Sequence, residues 1–232
     1  VYTNQQKQDK IAVMFDKIAY RYDLLNRLLS FQQDKRWRRA LINCLPRHTD
    51  GKLVDVACGT GDVLQEILKA RPQYSKLVGV DISAQMLDRA KHKLPTRVEL
   101  KQMAAQDLQL PSEFYDALTI SFGFRNVVDK EQALQEFHRV LKPQGCFAIL
   151  EFFPAPSKLW NQIFQLYFHH ILPFIGGCLS NKQAYSYLPK SVDSFYTPKQ
   201  FLEITKKTGF QLQFQRKFLW GSCLLLSFRK VV

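Results

Sequence analysis

The chain has 232 residues, 46% hydrophobic and 23% charged, enough to bury one core of its own without disulfide support. Its five cysteines (Cys44, Cys58, Cys146, Cys178 and Cys223) are scattered, with no CxxC pair and no histidine at zinc spacing, which argues for reduced thiols in a cytoplasmic protein. Lys and Arg outnumber Asp and Glu 33 to 20, and the resulting charge of +13 suits either nucleic acid or an anionic membrane surface.

The opening Val1 to Lys10 is too polar for a signal peptide, and no apolar run reaches the roughly 18 residues that a membrane-spanning helix needs. Residues 9–45 carry apolar positions such as Leu24, Leu25, Leu28 and Leu29 at helical spacing. Five short apolar runs follow, separated by helical patterns: Leu53 to Ala57, Leu77 to Val80, Arg97 to Met103, Ala117 to Ser121 and Cys146 to Glu151. That alternation predicts a parallel sheet covered by helices. From Trp160 to Ile171 the apolar residues again keep helical spacing and form a broad aromatic face, flanked by Lys158 and Lys182. Such a helix suits anionic lipid or an isoprenoid tail; packing into the core or against a second copy in a homodimer fits the pattern equally. Thr197-Pro198 then reads as cap and first position of a helix that Gly209 ends. The runs Phe210 to Phe218 and Cys223 to Arg229 read as a closing hairpin.

The expected fold is therefore α/β and Rossmann-like: a mostly parallel seven-stranded sheet with a C-terminal antiparallel hairpin and an N-terminal helical segment. The expected organisation is a single domain. Residues 1–50 form a helical substrate-side segment, 51–153 the cofactor-binding core, 154–192 a helical substrate cap, and 193–232 the last helix and hairpin.

The sharpest chemical signal is the loop Val54-Asp55-Val56-Ala57-Cys58-Gly59-Thr60-Gly61-Asp62. Glycines between a strand end and a helix start leave bare backbone where a ligand approaches closely. Asp81 ends the next strand, 20 residues after Gly61, where its carboxylate could accept ribose hydroxyls. A dinucleotide site shares that much, but its third glycine is replaced by Leu64, and Asp55 and Asp62 would repel a pyrophosphate. S-adenosylmethionine carries no phosphate and is cationic at sulfur and nitrogen, so acidic residues favour it. An ordinary tight turn is the bland alternative.

Longer matches are more specific. Tyr22-Asp23-Leu24-Leu25-Asn26 with Ser30 and Trp37, Ile120 to Val127, Arg139-Val140-Leu141-Lys142-Pro143 through Glu151, Ile171-Leu172-Pro173 with Gly176, and Ala184 to Val192 together resemble the ubiquinone/menaquinone biosynthesis C-methyltransferase family of class I methyltransferases. The departures are Leu25 for Met, Asp34 for His or Gln, Gln144 for Gly, Phe153 for Ser, and Ala104 where Asn or Asp is common.

The resemblance implies S-adenosylmethionine held by Asp55, Ala57, Gly59, Thr60, Gly61, Asp81, Ile82, Met86, Ala104, Ala105 and Ser121. Backbone groups of Ala104 and Ala105, or the nearby Asp107, would serve the adenine side. It also implies a prenylated quinol head group between Tyr22, Arg125 and Asn126, which act as catalytic residues. Arg125 would stabilise a developing oxyanion and orient a water. Packing alone is the rival role for Tyr22, and a structural salt bridge for Arg125. Demethylmenaquinol is the favoured substrate, and the ubiquinone-precursor benzoquinol remains open. Peripheral contact with the inner face of the membrane is expected, and no nucleic-acid partner. A nucleic-acid methyltransferase would account for the charge, but Ser121-Phe122-Gly123-Phe124 stands where base N-methylation uses an Asn/Asp-Pro-Pro-aromatic motif. A non-catalytic quinone-binding scaffold would account for the departures. His169-His170 lacks a carboxylate cluster, and Cys58 lacks a paired histidine.

Overall fold

Thr3 and Gln6 cap each other: Thr3 Oγ1 accepts the Gln6 N–H at 3.2 Å, and Gln6 Oε1 accepts the Thr3 N–H at 3.0 Å. This reciprocal cap opens α1 (Asn4–Ile18), which is followed by α2 (Tyr22–Leu29) and α3 (Gln33–Asn43). The helical reading of residues 9–45 thus resolves into three helices, the first starting earlier than its apolar pattern indicates. The computed structural model describes residues 2–30, 32–47, 50–154 and 182–231. The aromatic face from Trp160 to Ile171 and His169-His170 lie outside them.

The core alternates strand and helix: β1 (Lys52–Val56), α4 (Asp62–Ala70), β2 (Lys76–Asp81), α5 (Ala84–Lys93), β3 (Val98–Gln102), β4 (Tyr115–Ser121), α6 (Lys130–Val140) and β5 (Leu141–Phe152). After α7 (Lys182–Asp193) and α8 (Pro198–Lys207) come β6 (Phe210–Phe218) and β7 (Cys223–Lys230). Thr197 caps α8 through Gln200, with Pro198 first in the helix, as its sequence requires.

The seven strands are ordered β3-β2-β1-β4-β5-β7-β6, parallel except where β7 pairs with β5 and β6. Alternate side chains divide the core. Val54, Val56, Leu118 and Ile149 meet Leu134, Phe137 and Phe201 on one face. Leu53, Ala117, Ala148 and Leu150 meet Trp37, Leu41, Leu64 and Ile67 on the other. β5 begins five residues before Cys146, and its register against β4 shifts there, with Gln144 in the left-handed region at φ +65°. The carboxyl ends of β1, β2 and β4 converge where the order reverses between β1 and β4, the usual ligand crevice of such sheets. Among the described residues, no helix is long and apolar enough to cross a membrane.

Candidate active site

The loop after β1 turns on three left-handed residues, Ala57 (φ +52°), Gly59 (φ +54°) and Gly61 (φ +82°). The two glycines adopt this freely, whereas Ala57 pays about 1–2 kcal/mol for its side chain. The Cys58 N–H to Val80 O bond and the Gly61 N–H to Cys58 O bond, both 2.9 Å, hold the turn shut. The loop after β4 touches it: a Cβ added at Gly123 would lie 2.4 Å from that of Ala57.

Two carboxylates stand at the neighbouring strand ends. Asp55 is buried; its Oδ1 accepts the Thr119 hydroxyl at 2.6 Å, and its Oδ2 has no partner among the described residues. Burial pushes its pKa up to about 7 against the pull of Thr119. Asp81 takes the Ser83 N–H at 2.9 Å on Oδ1 and the Gly59 N–H at 2.8 Å on Oδ2. Burial raises it to about 6, with these amides working the other way.

A partly open cavity, with an empty volume of about 660 Å³ including its mouth, spans this crevice. Gly59 and Ala57 form its floor with Ser121, Gly123 and Asn126. Asp81, Ile82, Met86, Met103, Ala105 and Gln106 continue the wall past β2 and β3. α1 and α2 line it with Gln8, Ile11, Phe15 and Tyr22, and Phe122, Val127 and Val128 complete the lining. Asp81 is the only charged side chain of this described lining, so the field inside favours a cationic ligand and opposes a pyrophosphate.

Among the residues singled out from sequence, Asp55, Thr60, Gly61 and Ala104 stand behind the wall. Thr60 is buried with its hydroxyl on Asp23, 2.5 Å away. The expected contribution of Asp62 needs correction: its carboxylate faces Lys93 at 2.9 Å and Arg38 at 3.1 Å, so its charge is spent within the protein. Burial works to raise its pKa, and Arg38 and Lys93 hold it below the usual carboxylate range. Asp107 is exposed, and Gln106, one residue earlier, faces the cavity.

Arg125 is held by a salt bridge, the structural role named beside its catalytic one. Its Nη1 donates to Glu151 Oε1 at 2.8 Å and to Phe122 O at 2.5 Å, and its Nε to Ser191 Oγ at 3.2 Å. Among the described residues, it backs the cavity wall rather than lining it. It is still near enough to Tyr22 to favour the tyrosinate, although burial dominates and raises the Tyr22 pKa. The residues missed from sequence include Met103 and Phe122, together with Gln8, Ile11 and Phe15, spaced three and four apart on one face of α1, and Gln106. The α1 spacing was a usable signal; nothing local marks Gln106.

The profile of the ubiE/COQ5 methyltransferase family matches residues 3–225. The chain belongs to this family. It is 41% identical to the ubiquinone/menaquinone biosynthesis C-methyltransferase UbiE of Geobacter sulfurreducens, over 91% of this chain and 84% of that protein. It is 42% identical to the demethylmenaquinone methyltransferase of Thermus thermophilus, over 87% of this chain and 93% of that one. As a member of the family it is an S-adenosylmethionine-dependent C-methyltransferase. Its fold matches a SAM-dependent methyltransferase from Thermotoga maritima with a TM-score of 0.68 at 19% identity, covering 94% and 99% of the two chains. It also matches the [4+2]-cyclase SpnF with a TM-score of 0.71 at 16% identity, covering 100% and 97%. Those likenesses establish fold alone, since one architecture hosts different chemistries.

The residues present fit S-adenosylmethionine. Asp55 Oδ2, Ser121 Oγ and both amide atoms of Asn126 are buried without a partner among the described residues, and native structures seldom leave such atoms unsatisfied. A polar, cationic ligand in the adjoining cavity answers these needs.

Proposed function

We propose that the chain methylates a ring carbon of a prenylated quinol, with demethylmenaquinol as the favoured substrate. The observation that carries this reading is the pair of orphaned polar side chains, Ser121 and Asn126, lining the same cavity as Tyr22. Asp81 accepts the ribose hydroxyls, since each of its oxygens keeps a lone pair beyond its backbone amide bond. Ile82, Met86, Met103 and Ala105 enclose the adenine, and Gln106 supplies the side-chain amide that Ala104 lacks. The backbone of Ala57 and Gly59 receives the methionine end, and the Asp55 carboxylate behind that wall adds attraction for its cationic nitrogen. Bound there, S-adenosylmethionine supplies an electrophilic methyl group.

The quinol ring lies against Tyr22, Phe122 and Asn126. The Asn126 amide both donates and accepts, so it orients a quinol hydroxyl in either protonation state. Tyr22, its pKa raised by burial, stays protonated at neutral pH and donates a hydrogen bond. Arg125, fixed by Glu151, contributes positive potential that favours the quinolate, and a water at the cavity mouth takes the proton. The apolar lining excludes other water from the reacting atoms.

The isoprenoid tail and the net charge of +13 support peripheral binding to an anionic membrane surface. In this reading residues 1–50 wall the quinol site, 51–153 carry the cofactor and 193–232 complete the sheet, while most of the expected cap, 155–181, lies outside the described residues.

The deciding experiment supplies methyl-labelled cofactor with reduced naphthoquinol and benzoquinol substrates. Label is expected on the naphthoquinol ring. Label in neither quinol but in RNA would sink the reading.

A further inference from the structure

The N-terminal helices cross the site as a strap. Past β3, Gln106 Nε2 donates to Gln8 Oε1 at 2.7 Å. Past β2, Ser83 Oγ and the Gln85 N–H donate to Asp16 Oδ1 at 2.6 and 3.1 Å. Past β1, Thr60 Oγ1 donates to Asp23 Oδ1 at 2.5 Å. The strands β3, β2 and β1 are neighbours in that order, so the strap runs along their carboxyl ends and is fastened to the loop after each of these three.

The third fastening differs from the others because it is ionic. Lys93 Nζ, at the end of α5, pairs with Asp23 Oδ2 and reaches Thr60 Oγ1 at 3.0 Å and Asp62 Oδ1 at 2.9 Å. Asp62 in turn holds Arg38 of α3. Asp23 is therefore bidentate, one oxygen on a neutral hydroxyl and the other on an ammonium. Each partner adjoins a cavity residue: Asp23 follows Tyr22, and Thr60 follows Gly59.

We propose that Asp23 is a positioning residue that couples the two ligand sites. A ligand that fixes the loop after β1 fixes Thr60, hence Asp23 and the Tyr22 wall; a quinol packed on Tyr22 tightens the loop by the same amount, because linkage is reciprocal. This rests on the reading of Tyr22 as part of the quinol wall.

The test measures S-adenosylhomocysteine affinity of the full chain by calorimetry, with and without a short-chain methylated quinol. In the wild type the quinol is expected to tighten binding about fivefold or more, the low end of ordinary couplings. Asp23→Ala should reduce that enhancement to under about twofold and lower kcat about tenfold, while each ligand still binds alone. Thr60→Val should reproduce the effect, and the double variant should be no worse than the worse single one. Should Asp23→Ala fail to fold, Thr60→Val carries the same readout. An Asp23→Ala variant that unfolds more easily yet keeps the full enhancement overturns the proposal, as do single losses that simply add. A wild type that methylates quinol without mutual tightening also overturns it. A wild type that methylates no quinol overturns the coupling together with the assigned substrate, and so marks the failure as one of substrate.

Discussion

Arg125 and Glu151 form an ion pair of 2.8 Å in which the carboxylate is fully buried and the guanidinium is 8% exposed. Glu151 Oε2 also accepts the Arg125 backbone N–H at 3.2 Å, and its Oε1 the Phe152 N–H at 2.8 Å, so one carboxylate fixes a side chain and the loop that carries it. Removing one member of a buried pair leaves an uncompensated charge, at a cost of about 3–5 kcal/mol. Glu151→Gln should therefore lower the urea midpoint by that equivalent and reduce kcat more than cofactor affinity. An unchanged midpoint would remove the pair from the framework of the site.

Asp55 should release a proton when the cofactor site fills. Without ligand its pKa is pushed up to about 7, so between the ordinary carboxylate value of 3.8 and about 7 the folded chain holds a proton that the unfolded chain lacks. Asp81 behaves alike up to about 6. Stability from both groups thus falls as pH rises through this window. A cation at Asp55 Oδ2 reverses the preference, and affinity for S-adenosylhomocysteine should rise from pH 6 to 8. Calorimetry at pH 6.5 in buffers of different ionisation heat should register roughly half a proton or more released. Asp55→Asn should remove most of the release, leaving the smaller share from Asp81; a wild type that releases none contradicts the assignment.

Gly123→Ala should weaken cofactor use. The new methyl would sit 2.4 Å from Ala57 Cβ, and Ala57 is already left-handed, so the loop must shift. A rise in cofactor KM of about tenfold, about 1.4 kcal/mol, is expected. An unaltered KM would show that the two loops move independently.

Phe153→Ser puts in the residue that the sequence resemblance leads one to expect there, and it should destabilise this chain. Phe153 is completely buried, with its ring 5.1 Å from that of Phe195 and 5.6 Å from that of Phe201. Emptying such a site costs about 3–5 kcal/mol. A thermal midpoint within a degree or two of the wild type would refute the packing role.

Much of the fold was legible because its signals are local. The turn glycines Gly59 and Gly61, the Thr197-Pro198 helix start, and the two runs of the closing hairpin each act within a few residues, and the structure has them where the pattern requires. Strand starts were less legible. β5 begins at Leu141 because an irregular pairing with β4 absorbs Pro143 to Gly145, which no hydrophobic alternation marks.

The sequence by itself determined the sheet, the glycine loop with Asp81 in register, and the family. The tertiary structure alone decided which polar groups face a ligand and which are already satisfied. Arg125 is claimed by Glu151 across 26 residues and Asp62 by Lys93 across 31, while Gln8 meets Gln106 across 98. The charge a side chain offers depends on its neighbours in space and on how far burial strips it of water. Those neighbours come from elements remote in the chain, so residue type and spacing point to the crevice, and only the folded contacts select the groups that act in it.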